Sequence, residues 1–252
     1  VQRIGDSAAQ ALDPDAAFVV ATGTRPEGSA INARLMSRPA GTYDDYGHVD
    51  FCPTALLTAD LGIGATTATL GSLRNEDQVV AGSYAILGGV EIVRVVSLVG
   101  TTLTLGRGCL DTVPVAHASG VRVMFTDVFF ETDGIEYATG ETARVKLLPV
   151  TGIGELPLAS APEQTVVMNR RQYRPYPPGR LRINGLKYPT LIAGDTVTVS
   201  WAHRDRLQQT GATIEDTEAG NIGPEVGTTY TVEARRADNG VLLGSQSGLS
   251  GT

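Results

Sequence analysis

The chain has 252 residues, 42% of them hydrophobic and 19% charged, with a formal net charge of −7. That balance supports a folded core and argues against wholesale disorder and against a whole-chain nucleic-acid binder. No apolar run approaches the roughly 20 residues that a membrane-spanning helix needs.

In chain order, Val1 opens a segment with no secretory pattern and no initiating Met, which predicts a processed or excerpted piece of a longer chain. The one helix candidate is Asp6–Leu12, stopped by Pro14. Strand-like runs then recur at short intervals. They are Ala16–Ala21, Thr66–Leu70, Ser83–Leu87, Val90–Val96, Thr101–Leu105, Val121–Phe125 and Ala143–Leu148, followed by Thr165–Met168, Leu181–Ile183, Thr196–Trp201, Thr228–Ala234 and Val241–Leu243. Gly, Asn, Asp or Pro fills nearly every gap. The fold class this predicts is all-β, built of several small β modules.

Residues 58–127 form the clearest unit. Thr66-Thr67-Ala68-Thr69-Leu70 alternates, and a Gly88-Gly89 turn leads into Val90-Glu91-Ile92-Val93-Arg94-Val95-Val96. Gly100 punctuates the next gap, Arg107-Gly108 follows, and His117-Ala118-Ser119-Gly120 precedes Val121-Arg122-Val123-Met124-Phe125. So many short strands in so short a stretch suit a small barrel, which removes exposed edges by closing.

The ordered string Tyr84…Gly88-Gly89-Val90-Glu91-Ile92-Val93-Arg94-Val95…Gly100…Leu103-Thr104-Leu105-Gly106-Arg107-Gly108…Asp111-Thr112…His117-Ala118-Ser119-Gly120-Val121 resembles a small β module common in tailed-bacteriophage tail and baseplate proteins. Arg107, Gly108, His117 and Gly120 are the structural residues that this resemblance singles out. One departure is Cys109-Leu110-Asp111, where many relatives carry another glycine. The flanks Phe18–Pro26, Asp50–Thr54 and Tyr176–Gly185 also resemble a tail-tip or baseplate protein of siphophage-like particles. A compact barrel brings its ends together, so residues 1–57 and 128–174 are expected to form one discontinuous β domain, a sandwich that carries the barrel as an insertion.

Pro175-Tyr176-Pro177-Pro178-Gly179 reads as a linker. Beyond it, residues 175–252 resemble a fibronectin type III-like domain, with Trp201 and Tyr230 in the places of its core aromatics. Only nine residues follow Leu243, so that domain is expected to be incomplete.

Little in the chain points to chemistry. His48, His117 and His203 fall in different modules, and none has metal-ligand spacing; His117 is expected to pack or hydrogen-bond across the barrel end, and His203 to sit in a solvated loop. Asp44, Asp45, His48 and Asp50 cluster but lack a calcium-loop pattern. Cys52 and Cys109 have no CxxC spacing and read as buried thiols. No catalytic residue, metal ligand or cofactor site is predicted, and no nucleophile elbow, zincin motif or P-loop occurs.

The run Asn169–Tyr188 is rich in cations and holds no acid. Arg with interleaved Tyr suits single-stranded nucleic acid, but also a subunit interface. For an acidic chain the interface is the better reading, carried by Arg170, Arg171, Tyr173, Arg174, Tyr176, Arg180 and Arg182. The acidic stretch Glu215, Asp216, Glu218 and Glu225 is its candidate partner on a neighbouring copy. All cations but Lys146 and Lys187 are Arg, which favours planar interface contacts, although a G- and C-rich genome gives the same bias.

The resemblance implies a non-enzymatic structural protein of a phage tail tip or baseplate. It would be made in the bacterial host cytoplasm and located in the virion, and would assemble as a homo-oligomer, a trimer, with other tail proteins, without nucleic acid and without a membrane-spanning segment. The alternative is a module that recognises a host-surface polysaccharide or receptor.

Overall fold

The computed structural model describes residues 17–26, 28–190, 192, 196–208 and 215–250. The predicted helix at Asp6–Leu12 lies outside them. The architecture is all-β: strands organise every described module, and among the described residues the helical elements are two short 3-10 turns. No described helix is long and apolar enough to cross a membrane.

Strand β1 (Asn32–Ser37) alternates, with Ala33, Leu35 and Ser37 buried and Asn32, Arg34 and Met36 on the other face. It pairs antiparallel with β2 (Asp44–Asp50), an acidic edge strand. Charge on an edge discourages pairing with another sheet. The chain then leaves this sheet and builds a closed barrel.

The barrel strands are β3 (Thr54–Leu57), β4 (Thr67–Arg74), β5 (Tyr84–Leu87), β6 (Glu91–Val99), β7 (Thr102–Gly106) and β8 (Arg122–Met124), closed in the order β3-β4-β7-β6-β5-β8. The first of them precedes the predicted boundary at residue 58. Inward positions are mostly small or branched, as suits a narrow interior: Ala55, Leu57, Ala68, Leu70, Ala85, Leu87, Val93, Val95, Leu103, Leu105 and Val123 form one cluster with Phe125. The β5–β6 turn needs both its glycines, since Gly88 and Gly89 have positive φ.

After the barrel the chain returns to its starting sheet. β9 (Thr142–Thr151) pairs with β1 from Asn32↔Val150 to Ser37↔Val145, while β10 (Gly154–Glu155) and β11 (Gln164–Val167) line the far edge of β9. Isolated bridges Ala17↔Tyr137 and Ala21↔Glu131 add further ties between the segments before and after the barrel. Of the run Ala16–Ala21 predicted as a strand, the described residues 17–21 supply only these bridges. Val19, Leu35, Tyr137, Ala143, Val145 and Met168 are core shared by the two segments. A buried carboxylate pins this region: Ser37 Oγ and Tyr137 Oη both donate to Asp133 Oδ2 at 2.6 Å. Burial first, and then Asp133, push the Tyr137 hydroxyl up to about 12.

The C-terminal part holds two ribbons, β12 (Gly179–Ile183) with β13 (Val199–Ala202), and β14 (Tyr230–Arg235) with β15 (Leu242–Leu249). Among the described residues each ribbon has two strands. Trp201 and Tyr230 are half-buried and meet each other, with ring centroids 5.2 Å apart. They do not reach the full burial of core aromatics, because two separate ribbons enclose less than a complete sandwich.

Leu103 is fully buried in the barrel. Leu103→Ala should lower unfolding stability by about 2–5 kcal/mol, measured by urea denaturation.

Candidate functional site

Strand alternation puts Glu91 on the same face of β6 as Val93 and Val95, at the end of the barrel interior. Its side chain is 0% exposed. A lone carboxylate there would be untenable, since an unpaired buried charge neutralises or costs several kcal/mol. The sequence supplies its partners from the β7–β8 connection. Arg107 Nε donates to Glu91 Oε1 and Arg107 Nη2 to Oε2, both at 2.8 Å. His117 Nε2 lies 2.9 Å from Oε2, the Gly108 N–H donates to Oε1 at 3.0 Å, and the Val115 N–H to Oε2 at 3.2 Å.

The guanidinium is equally committed. Arg107 Nη1 donates to the carbonyls of Gly62 (3.1 Å) and Ala65 (2.7 Å), and Nη2 donates to that of Val115 (2.6 Å). Every N–H of the group is thereby used. One buried ion pair ties the β3–β4 connection and the β7–β8 connection to β6. Burial alone would raise the Glu91 carboxyl. The hydrogen bonds from Arg107 and His117 and the Arg107 charge outweigh it, so its pKa sits below the ordinary carboxylate range.

Local packing explains the small residues around this network. A Cβ on Gly108 (φ +59°) would sit 2.5 Å from Pro114 Cδ, and one on Gly88 would sit 3.2 Å from His117 Nδ1. Gly120 (φ +85°) has open space and needs glycine only for its backbone conformation. Leu110 takes φ +53°, and it packs against the satellite cluster Tyr84, Ile92 and Cys109. Both cysteines are free and buried, and burial pushes the Cys109 thiol up to about 12, which leaves it unreactive.

The same rim receives the C-terminal part. The Thr217 N–H donates to the Arg107 carbonyl at 2.8 Å, and the Thr217 carbonyl accepts from the Arg180 N–H at 2.7 Å. Asp216 Oδ2 accepts from Arg94 Nη2 at 3.1 Å and lies where a Gly106 side chain would be. Arg204 Nη1 donates to the Gly108 carbonyl at 3.1 Å. A strap at residues 215–218 thus joins the barrel to β12.

The structure divides the predicted interface residues. Arg170, Arg171, Tyr173 and Arg174 are exposed around a 3-10 turn, Arg171–Tyr173. Within it Arg171 pairs with Asp111 of the barrel rim, through Nη2–Oδ1 at 2.8 Å and a second contact from Nε. Tyr176 is buried beneath the Arg204 guanidinium, which lies 5.1 Å from its ring centroid. Arg182 pairs with Glu218, as does Lys187 at 3.2 Å, and Arg180 Nε donates to the Glu218 carbonyl. The acidic stretch expected to serve a neighbouring copy is therefore engaged within the chain, Glu225 included, through Arg206 at 2.8 Å. His203 is buried rather than solvated: its Nδ1 is 2.9 Å from Tyr230 Oη, and Arg204 and Asp205 beside it are also buried. Sequence spacing missed this because its partners, Asn221 and Tyr230 at the start of β14, lie far along the chain.

Among the described residues, no group of His, Cys, Asp and Glu converges as metal ligands. Asp44, Asp45, His48 and Asp50 are exposed along β2, and Asp45 pairs with Arg34 at 3.3 Å. No protein-family model matches the chain, and no curated protein matches it.

Because Glu91 loses its folded-state advantage as protons bind, its contribution is full above the unfolded carboxyl range and fades as pH falls through its lowered folded pKa. Urea midpoints taken between pH 7 and pH 3 should drop steeply at the acid end. Glu91→Gln should be less stable at pH 7 and flatter across that window. Arg107→Met should cost about 3–5 kcal/mol by stranding the carboxylate, and adding Glu91→Gln should recover part of that loss.

Proposed function

We propose that this chain is a structural, non-enzymatic component of a bacteriophage tail tip or baseplate, working through rigid β modules and multivalent contact. The observation that supports the reading is where the resemblance falls. Glu91, Arg107, Gly108 and His117, which carry much of the likeness to phage tail β modules, meet in one buried network at the barrel rim. Residues far apart in the sequence thus serve one structural purpose, which supports the reading. The Glu91 carboxylate and every N–H of the Arg107 guanidinium face other protein groups, which supports a role in holding loops.

In this reading the exposed turn at Arg170, Arg171, Tyr173 and Arg174 is the contact surface towards further copies and neighbouring tail proteins. Arg and Tyr are enriched at such surfaces, and a closed ring such as a trimer requires a heterologous contact. Tyr176, Arg180 and Arg182 are instead engaged within the chain, with Arg204 and Glu218. The protein belongs, on this proposal, in the virion.

Arg170→Glu/Arg171→Glu/Arg174→Glu should reduce self-association at least tenfold by light scattering while far-UV circular dichroism stays unchanged. Antibody labelling of purified particles should mark the tail tip. Clearing of host cell wall in a zymogram would overturn the non-enzymatic reading.

A further inference from the structure

The ribbon of β14 and β15 is rooted at Tyr230, which meets Trp201 and His203. Among the described residues its two strands pair only with each other, and every residue of β15 but Leu249 is exposed. Two strands alone are marginal in water, and a third or fourth makes a sheet stable. The two outer edges of the ribbon differ in charge. β14 carries Glu233 and Arg235, and charges of this kind keep an edge from pairing. β15 reads Leu242-Leu243-Gly244-Ser245-Gln246-Ser247-Gly248-Leu249, with no charge and no proline. An open edge of that composition is a template for another strand.

The order of residues along the edge says which strand fits it. From Leu243 to Leu249 the sequence reads the same in both directions about Gln246. Two such strands, run antiparallel about a two-fold axis at Gln246, set Leu243 against Leu249, Gly244 against Gly248, Ser245 against Ser247 and Gln246 against itself. Opposed hydroxyls hydrogen-bond across strands, and with no charge on either strand there is no like-charge repulsion to oppose the pairing. Leu243, 66% exposed in the single chain, gains an apolar neighbour. The register shifts against β14 lie between Leu242 and Gly244 and between Gln246 and Leu249, so the stretch around Gln246 leads the pairing. We propose that β15 pairs antiparallel with β15 of a second copy of this chain, joining two ribbons into one four-stranded sheet across a two-fold axis at Gln246. The contact is isologous. It is separate from the exposed turn at Arg170 and does not rest on the phage-tail reading.

The test is site-directed cross-linking of the complete chain. Residues opposed in an antiparallel pair have Cα atoms about 4.5–5.5 Å apart, within disulfide reach. The native Cys52 and Cys109 are buried. Under mild oxidation Gln246→Cys should form a disulfide-linked dimer roughly tenfold faster than Thr231→Cys, which is also exposed but lies on β14, away from the axis. Adding Ser245→Lys/Ser247→Lys sets like charges opposite each other and should slow the Gln246→Cys reaction roughly tenfold. The contact at the Arg170 turn does not bring two copies of residue 246 together, so it cannot produce this result. Absence of a dimer from Gln246→Cys, equal rates for the two cysteine variants, or a rate untouched by the lysines would overturn the proposal.

Discussion

The Glu91–Arg107 pair is the interaction on which the rest of the structure depends. A barrel this small is sealed along its wall by hydrogen-bonded strands, but its end is open wherever loops must cross. Here the end is sealed by a carboxylate and a guanidinium, each with its hydrogen-bonding capacity directed at the crossing loops. The pair is costly to desolvate, and well-packed apolar residues of similar volume can match its stability. What an apolar plug cannot do is fix the path of loops 62–65 and 106–117 through specific N–H and C=O contacts. The Arg107 side chain faces the barrel interior while its carbonyl accepts Thr217, so one residue also sets where the C-terminal strap lands.

That placement makes the chain read as nested insertions. The β1–β9 sheet carries the barrel, and the barrel rim carries the strap. Each level is pinned by a buried or half-buried carboxylate: Asp133 beneath the sheet, Glu91 in the barrel, and Asp216 and Glu218 in the strap. Exposed pairs such as Arg235–Glu233 add little, since solvent screens them.

Much of the fold was legible in the sequence where alternation was strong. Val90–Val96 overlaps β6 from Glu91 on and Ala143–Leu148 lies within β9, because β-branched and apolar residues recur there with a period of two. β1 escaped the same reading, since Asn-Ala-Arg-Leu-Met-Ser holds no β-branched residue and is strand only through its pairing on both sides. β2 escaped because its aspartates suit a solvated edge as well as a loop. At the rim, Glu91, Arg107 and His117 all lay in the string that carries the resemblance, but nothing in the sequence paired Glu91 with Arg107. A charged residue at an inward position of an otherwise apolar strand was the available signal. The in-chain pairing of Glu218 with Arg182 and Lys187 was not legible, because it depends on a strap that crosses more than thirty residues of sequence.

The most direct measurement of the central claim is native-state amide hydrogen exchange at Gly108 and Val115, whose N–H groups are bonded to Glu91 in loops that carry no strand of their own. If the carboxylate network holds the rim, both amides exchange only through global unfolding, as slowly as Val93 and Leu103 in the barrel wall. Exchange of Gly108 and Val115 at loop-like rates, while the wall stays protected, would show that the rim opens independently of the barrel, and would contradict the account.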